Sequence, residues 1–484
     1  MIQKGKKVTS ILVESFEKLF KLIPESLPDE MKERIKSSIQ SITQQDADLN
    51  KLQEYVSYIH SDDINISFLG LSQCKKLLSN TQLTRDLDAI IDIVLRTNIE
   101  LKLFEIAKNN SVQLLKYQAL AIICSFACGT QNQIQNILDN DRVDVLFQTI
   151  NSEYDEIIGL GVYTLTNISS NNIYFRDLLL EKGVVQQFIS LATKCKGEKL
   201  ETFRIILWAI SKFANIKPMI QMHIEDLIKF LSEIIIAVDE EQQLIDACWG
   251  LGYLSQNDNQ IHLLVKFGVI EKLVMLLHLE NKNIVIPALR ILGNILTGTE
   301  EQTDQVLNAG VLQGFIIQLQ QSNNQAIRQD ICWALSNIAA GTVTQIKQII
   351  TKDSLLLSLF RELEIGVPKI VQEIAHFLSN IVIYADIDDL DHLVRSYGLI
   401  LQISMILDSI DKNVEVILEG IFQFIQRIIQ VGRFQAYYQY FEESKLIEKV
   451  EYLQIHQSST IYQKCSEIFE IFISKKKIWE QHLI

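Results

Sequence analysis

Trp333 and Asn337 stand four residues apart inside the apolar stretch 331–340. Four residues is close to one helical turn, so on a helix the ring and the amide share a face. An indole face attracts a cation, and a primary amide both donates and accepts hydrogen bonds. Together they suit an extended basic peptide. The amide can hold its main chain, and the ring can flank a Lys or Arg stem whose charge lies near the aromatic face.

The pair recurs. Aligned on it, the chain places Ser125, Asn167, Lys212, Tyr253, Asn294, Asn337, Asn380 and Gln423 in one column, at steps of 42, 45, 41, 41, 43, 43 and 43 residues. Four residues before the first seven stand Ala121, Tyr163, Trp208, Trp249, Arg290, Trp333 and His376. Three of the four tryptophans of the chain thus fall in one column. One turn before the aromatic position stand carboxylates, Asp246 before Trp249, Asp330 before Trp333 and Glu373 before His376. Glu300, Glu301 and Asp304 follow Asn294. A carboxylate within reach of a lysine ammonium makes a charge-assisted bond.

A column with this period needs a repeat to carry it. Gly183, Gly268, Gly310 and Gly398 precede apolar helix starts at a matching interval, as expected of tight turns between helices. A unit of about 42 residues holding two or three helices is the armadillo/HEAT pattern. One such unit cannot bury its apolar face alone, and stacking buries it. The expected fold is all-α, an armadillo-repeat solenoid of about ten repeats over residues 51–475. An N-terminal helical extension, 1–50, and a short tail, 476–484, flank it. Helices stacked roughly 10 Å apart would advance an extended peptide by about three residues per repeat.

Composition agrees. Of 484 residues 48% are apolar, with only 5 Pro and 19 Gly, which favours long helices. A net charge of −14 suits basic partners and disfavours nucleic acid and anionic membrane. The 7 cysteines are scattered; Cys124 and Cys128 share a helix face without a second metal-ligand pair, so no metal is expected. No phosphate loop and no Ser/His/Asp arrangement occurs, so neither enzymatic chemistry nor a cofactor is expected. No secretory signal and no apolar run of membrane-spanning length is read, so a soluble protein is expected.

Four stretches carry a family resemblance: "DACWGLGYLSQ" (246–256), "VIPALRILGNILTGTEEQTDQVLNAG" (285–310), "DICWALSNIAAGT" (330–342) and "LIEKVEYLQIHQSSTIYQKCSEIFEIFIS" (446–474). In order and content they resemble importin alpha (karyopherin alpha). The resemblance implies a right-handed superhelix whose groove binds the nuclear localisation signals of cargo proteins, at a major site in the N-terminal repeats and a minor site in the C-terminal ones. It also implies an importin beta partner, recycling by an export receptor, and a place in cytoplasm and nucleus. Carried over by position, the minor-type site comprises Arg290, Asn294, Gly298, Glu300, Thr303, Asp330, Trp333, Asn337, Glu373, His376 and Asn380. The major-type site comprises Gly129, Tyr163, Asn167, Trp208, Asp246, Trp249 and Tyr253.

The chain departs from the family at the major site. Ala121 and Ser125 replace a Trp–Asn rung, Lys212 replaces an amide, and Asn171 aligns with the family's aspartate. In the family a glycine carbonyl and a threonine hydroxyl receive the key lysine. Gly298 and Thr303 supply both in the C-terminal copy, whereas the N-terminal copy has Gly129 with Ile134. The minor-type site is therefore expected to dominate. The family's basic N-terminal arm, which binds importin beta, corresponds here to residues 1–50 with eight Lys/Arg and eight Asp/Glu, the one dense cluster being "KGKK" at 4–7. The alternative reading is an armadillo scaffold outside transport that binds extended segments of its partners.

Overall fold

The computed structural model describes residues 16–23, 29–44, 46–79, 87–195, 199–217, 223–409 and 414–481. Among them every regular element is helical. The chain divides into two compact units, Met1–Leu227 and Ile228–Ile484.

In the first unit we label the two N-terminal helices α1 (Phe16–Lys21) and α2 (Asp29–Gln44). The ladder helices are α3 (Ile64–Ser79), α4 (Gln113–Phe126), α5 (Asp155–Asn171) and α6 (Leu200–Asn215). Each of α3 to α6 packs on the next. In the second unit the ladder helices are α7 (Glu241–Leu254), α8 (Lys282–Ile295), α9 (Gln325–Ala339), α10 (Pro368–Tyr384), α11 (Val414–Gln430) and α12 (Ser459–Gln481), again packed in series. Shorter helices link one ladder helix to the next and cover its other side.

The reasons are local. Three ladder helices end in Gly–Thr–x–x–Gln turns that start the next helix. Thr130, Thr299 and Thr342 each accept from the backbone of Gln133, Gln302 and Gln345, whose side chains reach back to the threonine N–H. A Cβ on Gly129, Gly298 or Gly341 would lie 2.3, 2.0 and 2.0 Å from the glutamine Oε1, so only glycine admits the cap. Gly183, Gly268, Gly310 and Gly398 all take left-handed φ, between 64° and 87°, as their place before helix starts requires. Ile, Leu and Val side chains between the helices form the core, most of them fully buried.

Of the N-terminal extension, α2 packs on α3, and Leu19, Leu22, Ile23, Ile35 and Ile39 are buried. The last ladder helix, α12, continues through Lys475–Lys477 to Gln481. The cluster at 4–7 lies outside the described residues.

Candidate peptide-binding face

In the second unit the column runs over three ladder helices. Arg290 and Asn294 on α8, Asp330, Trp333 and Asn337 on α9, and Glu373, His376 and Asn380 on α10 are all half-buried, on helices whose other positions are largely buried. Their 3–4 residue spacing puts each set on one side of its helix. The Trp333 ring lies on the preceding helix: a Cβ at Gly293 would come within 2.3 Å of Cζ3. Glycine at 293 thus lets the indole lie against the backbone of α8.

The amides of two rungs are used within the chain. Asn294 Nδ2 donates to Ser255 Oγ at 2.8 Å, and Asn380 Nδ2 donates to the Ser336 carbonyl at 2.9 Å. Each ties its helix to the ladder helix before it. Asn337 is the exception, since its Nδ2 is buried without a hydrogen-bond partner. A donor left so costs about 1–3 kcal/mol.

One of the acids is paired within the chain. Asp330 is not free: Arg290 Nη2 lies 3.3 Å from its Oδ2. Burial pushes the Asp330 carboxyl above its ordinary range, and Arg290 works against that. Burial likewise raises Glu373, opposed by a hydrogen bond from Gln329 and by His376, while Asp330 adds to the rise. Trp249 and Tyr253 on α7 stand with ring centroids 5.7 Å apart, and Asp246 accepts from Gln242 Nε2 at 3.2 Å. Burial raises the Tyr253 hydroxyl, with Arg290 opposing.

Beside this face opens a cleft of about 270 Å³, lined among others by Gly298, Glu300, Thr303, Asn337, Gly341 and Gln345. It unites four of the minor-type residues named from the sequence. Gln345 was not among them, and it fixes the wall: its Nε2 donates to the Glu300 carbonyl at 2.9 Å and to Asp304 Oδ1 at 2.8 Å. Gln133 does the same in the first unit, to the Asp88 carbonyl at 2.8 Å and Asp92 Oδ1 at 2.7 Å. The recurrence of a glutamine 41 residues after an aspartate is the signal that could have found it.

The first unit is built on the same plan and differs in its side chains. Tyr163 and Trp208 stand with ring centroids 5.0 Å apart, and Asn167 Nδ2 donates to Cys128 Sγ at 3.3 Å and Cys124 Sγ at 3.9 Å. Lys212 is exposed, and Ala121 and Ser125 are buried. Asn171 Nδ2 donates to the Gly129 carbonyl at 3.0 Å, so the acceptor expected to receive a lysine is taken by an amide of the chain itself. Ile134, where Thr303 has its counterpart, is fully buried. The major-type residues are divided: Gly129, Tyr163, Asn167 and Trp208 belong to the first unit, Asp246, Trp249 and Tyr253 to the second.

Comparison with known proteins agrees with this architecture. Residues 299–340 match the Armadillo/beta-catenin-like repeat. Importin subunit alpha-1b of Oryza sativa subsp. japonica is 27% identical over 88% of this chain and 79% of its own length. Importin subunit alpha-4 of Arabidopsis thaliana is 28% identical over 87% and 78%. Importin subunit alpha-1a of Oryza sativa subsp. japonica is 28% identical over 63% of this chain, and the match spans just over half, 57%, of that relative. Among solved structures, an engineered protein superposes with a TM-score of 0.72 at 18% identity, covering 88% of this chain and 99% of that one. A structure from work on the cadherin–beta-catenin interaction gives 0.68 at 15%, covering 95% and 91%. Both show the fold alone.

Proposed function

We propose that this chain, a divergent relative of the importin alpha subunits built of armadillo repeats, is a nuclear import adaptor. It binds Lys/Arg-rich extended segments of cargo, chiefly on the second unit. Its role is recognition and not catalysis. By the same kinship it works with an importin beta partner, returns through an export receptor, and moves between cytoplasm and nucleus.

The observation that carries this reading is the face from Arg290 to Asn380 with the cleft at its side. The half-buried ring of Trp333 suits an alkyl stem laid along it. Asp330 and Glu373 supply negative charge, and the Asn337 side chain lines the cleft. Glu300, Thr303 and Gly298 offer oxygen acceptors around one cleft large enough for a lysine ammonium. An ammonium has three donors and no acceptor, so a niche of acceptors selects it.

The test is a titration of a fluorescent Lys-rich peptide against the full chain, with a Lys-to-Gln version as control. Saturable binding of the basic peptide alone supports the reading. Equal binding of both peptides would favour a scaffold that reads extended backbone without regard to charge. Capture of importin beta by the purified chain, present or absent, tests the transport half separately.

A further inference from the structure

Of the 14 residues of α4, 12 are buried. The other two, Gln113 and Lys116, are half-buried, and both line one cleft. Lys116 is also the one charged residue of α4. The helix therefore meets solvent chiefly at this cleft, and its single charge is placed there.

The cleft has a volume of about 280 Å³. It opens where the helix Ile99–Asn109 ends and where α4 and α5 begin. Lys108, in the last turn of Ile99–Asn109, is exposed and lines it as well. Among the described residues neither Lys108 nor Lys116 has an ion-pair partner. Glu153 also lines the cleft, but it is exposed and joined to neither lysine. Gln148 and Tyr154 add an amide and a hydroxyl, both able to donate.

The second unit has the same cleft with its charge answered. Gln325 and Arg328 on α9 line it, each 212 residues, five repeats, after Gln113 and Lys116. Arg328 ion-pairs with Glu362, and its Nε donates to the Ser322 carbonyl at 2.8 Å. Burial raises the Glu362 carboxyl, and Arg328 and Arg361 both oppose that rise, so two cations act on one buried acid. The residue 212 before Glu362 is Ile150, fully buried. Gln320 lines the second cleft where the first has Lys108. The first unit thus has the cation at 116, another at 108, and hydrocarbon in place of the buried acid.

A half-buried ammonium without a counter-ion loses hydration with no compensating charge. An anion seated in the cleft would supply that charge through charge-assisted bonds. A cleft of this size lies at the small end of ligand pockets, so it takes one side chain and not a folded element. The chain carries −14 overall, which holds off nucleic acid and anionic membrane but acts weakly, in salt, on a short segment with one local anion. We infer that the cleft of Lys108 and Lys116 is a binding site for an anionic side chain, carboxylate or phosphate, on an extended segment of a partner protein. Its chemistry is opposite to that of the proposed basic-peptide face, and it does not depend on that face.

The experiment titrates short fluorescein-labelled Gly/Ser peptides into the full chain at low, fixed salt, read by anisotropy. One carries a pair of glutamates, one a phosphoserine and one a pair of glutamines. The two anionic peptides should bind saturably, and the glutamine peptide should not. Lys116→Gln should weaken the tighter of them at least about fivefold, as loss of a hydrogen bond between charged groups does. Lys108→Gln should weaken it roughly threefold, because that lysine is exposed. Arg361→Gln, in the second cleft, should leave affinity within about twofold, the scale of an exposed charge outside the site. Circular dichroism checks that each variant keeps its helicity. The tighter of the glutamate and phosphoserine peptides tells a constitutively acidic partner from a phosphorylated one. Equal binding of the glutamine peptide, no saturable binding of any peptide, or undiminished affinity in a folded Lys116→Gln chain overturns the inference. So does a loss in Arg361→Gln as large as in Lys116→Gln, which would move the site to the second cleft.

Discussion

The turns at Gly129 and Gly298 share one backbone and have opposite consequences. Each ends a ladder helix, and each is closed by the same threonine–glutamine cap. In the first unit the next ladder helix sends Asn171 across, and its amide fills the Gly129 carbonyl at 3.0 Å. In the second unit the residue at the corresponding place is Gly341, which sends nothing, and a cleft remains. Ile134 and Thr303 repeat the contrast, one closing the site with hydrocarbon and the other lining it with a hydroxyl. The cap builds the turn, and the side chain offered by the following repeat decides whether the turn becomes a pocket.

The sharpest way to break this contrast is to remove one ring from each unit. Trp333→Ala should weaken a basic peptide by about 1–2 kcal/mol, roughly five- to thirtyfold, because on the proposed reading the ring flanks an alkyl stem and its cation. Tyr163→Ala should change affinity less than about twofold on the same scale. Calorimetry with one peptide and both variants decides it. If the Tyr163 variant loses more, the first unit is the working face.

Exchanging the pocket residues gives the next effect. Thr303→Ile imports the first unit's hydrocarbon into the second unit's cleft and deletes an acceptor worth about 0.5–1.5 kcal/mol, so peptide affinity should fall roughly two- to tenfold. The reverse exchange, Ile134→Thr, should bring no gain in binding. It buries a hydroxyl in a fully apolar place and should instead cost about 1–3 kcal/mol of stability, read by urea unfolding. Gain of binding by Ile134→Thr would mean that Asn171 does not close the site.

The contrast was partly legible in the residues alone. The period, the helical class and the half-buried column from Arg290 to Asn380 follow from spacing, because spacing alone fixes which residues share a helix face. The substitutions at Ala121, Lys212, Asn171 and Ile134 were visible as well. What spacing could not give was pairing across repeats. Nothing local says that Arg290 will take Asp330, that the amides of Asn294 and Asn380 will be used between helices, or that Gln345 will reach Asp304. Those depend on side chains about 40 residues apart meeting in space. Nor does the sequence of residues 16–44 say where the helix pair docks. Its amphipathic pattern predicts that it packs, but not on what.

Asn171→Gly separates the amide's structural role from its blocking role. Removing the Nδ2 donor to Gly129 should cost the first unit about 0.5–1.5 kcal/mol, together with the entropy of a glycine at the end of α5. Basic-peptide affinity should stay within twofold, because Ile134 and the missing acids still disqualify the site. A clear rise in affinity would show that this one amide is the whole difference between the units.

The smallest effect is on pH. Asp330 and Glu373 are both raised by burial, so the folded chain binds their protons more readily than the unfolded chain does. Stability contributed by these two groups therefore rises as pH falls through the interval between the raised folded values and the ordinary carboxylate values. It is lost again as pH climbs through the folded values toward neutrality. Peptide binding runs the other way, since a cationic ligand needs both carboxylates ionised. In a titration between pH 7 and pH 5 at fixed salt, affinity should begin to fall while exposed carboxylates are still charged. The loss should be about two- to fivefold, the scale of a solvent-accessible ion pair. The Asp330→Asn, Glu373→Gln chain should bind more weakly at pH 7 and lose this slope. The first unit has Gln118, Leu160 and Ile205 at the matching positions and nothing there to titrate in that range. A wild-type affinity flat across the interval would mean that neither acid faces the ligand, and the Arg290–Asp330 pair would then be a structural tie between α8 and α9.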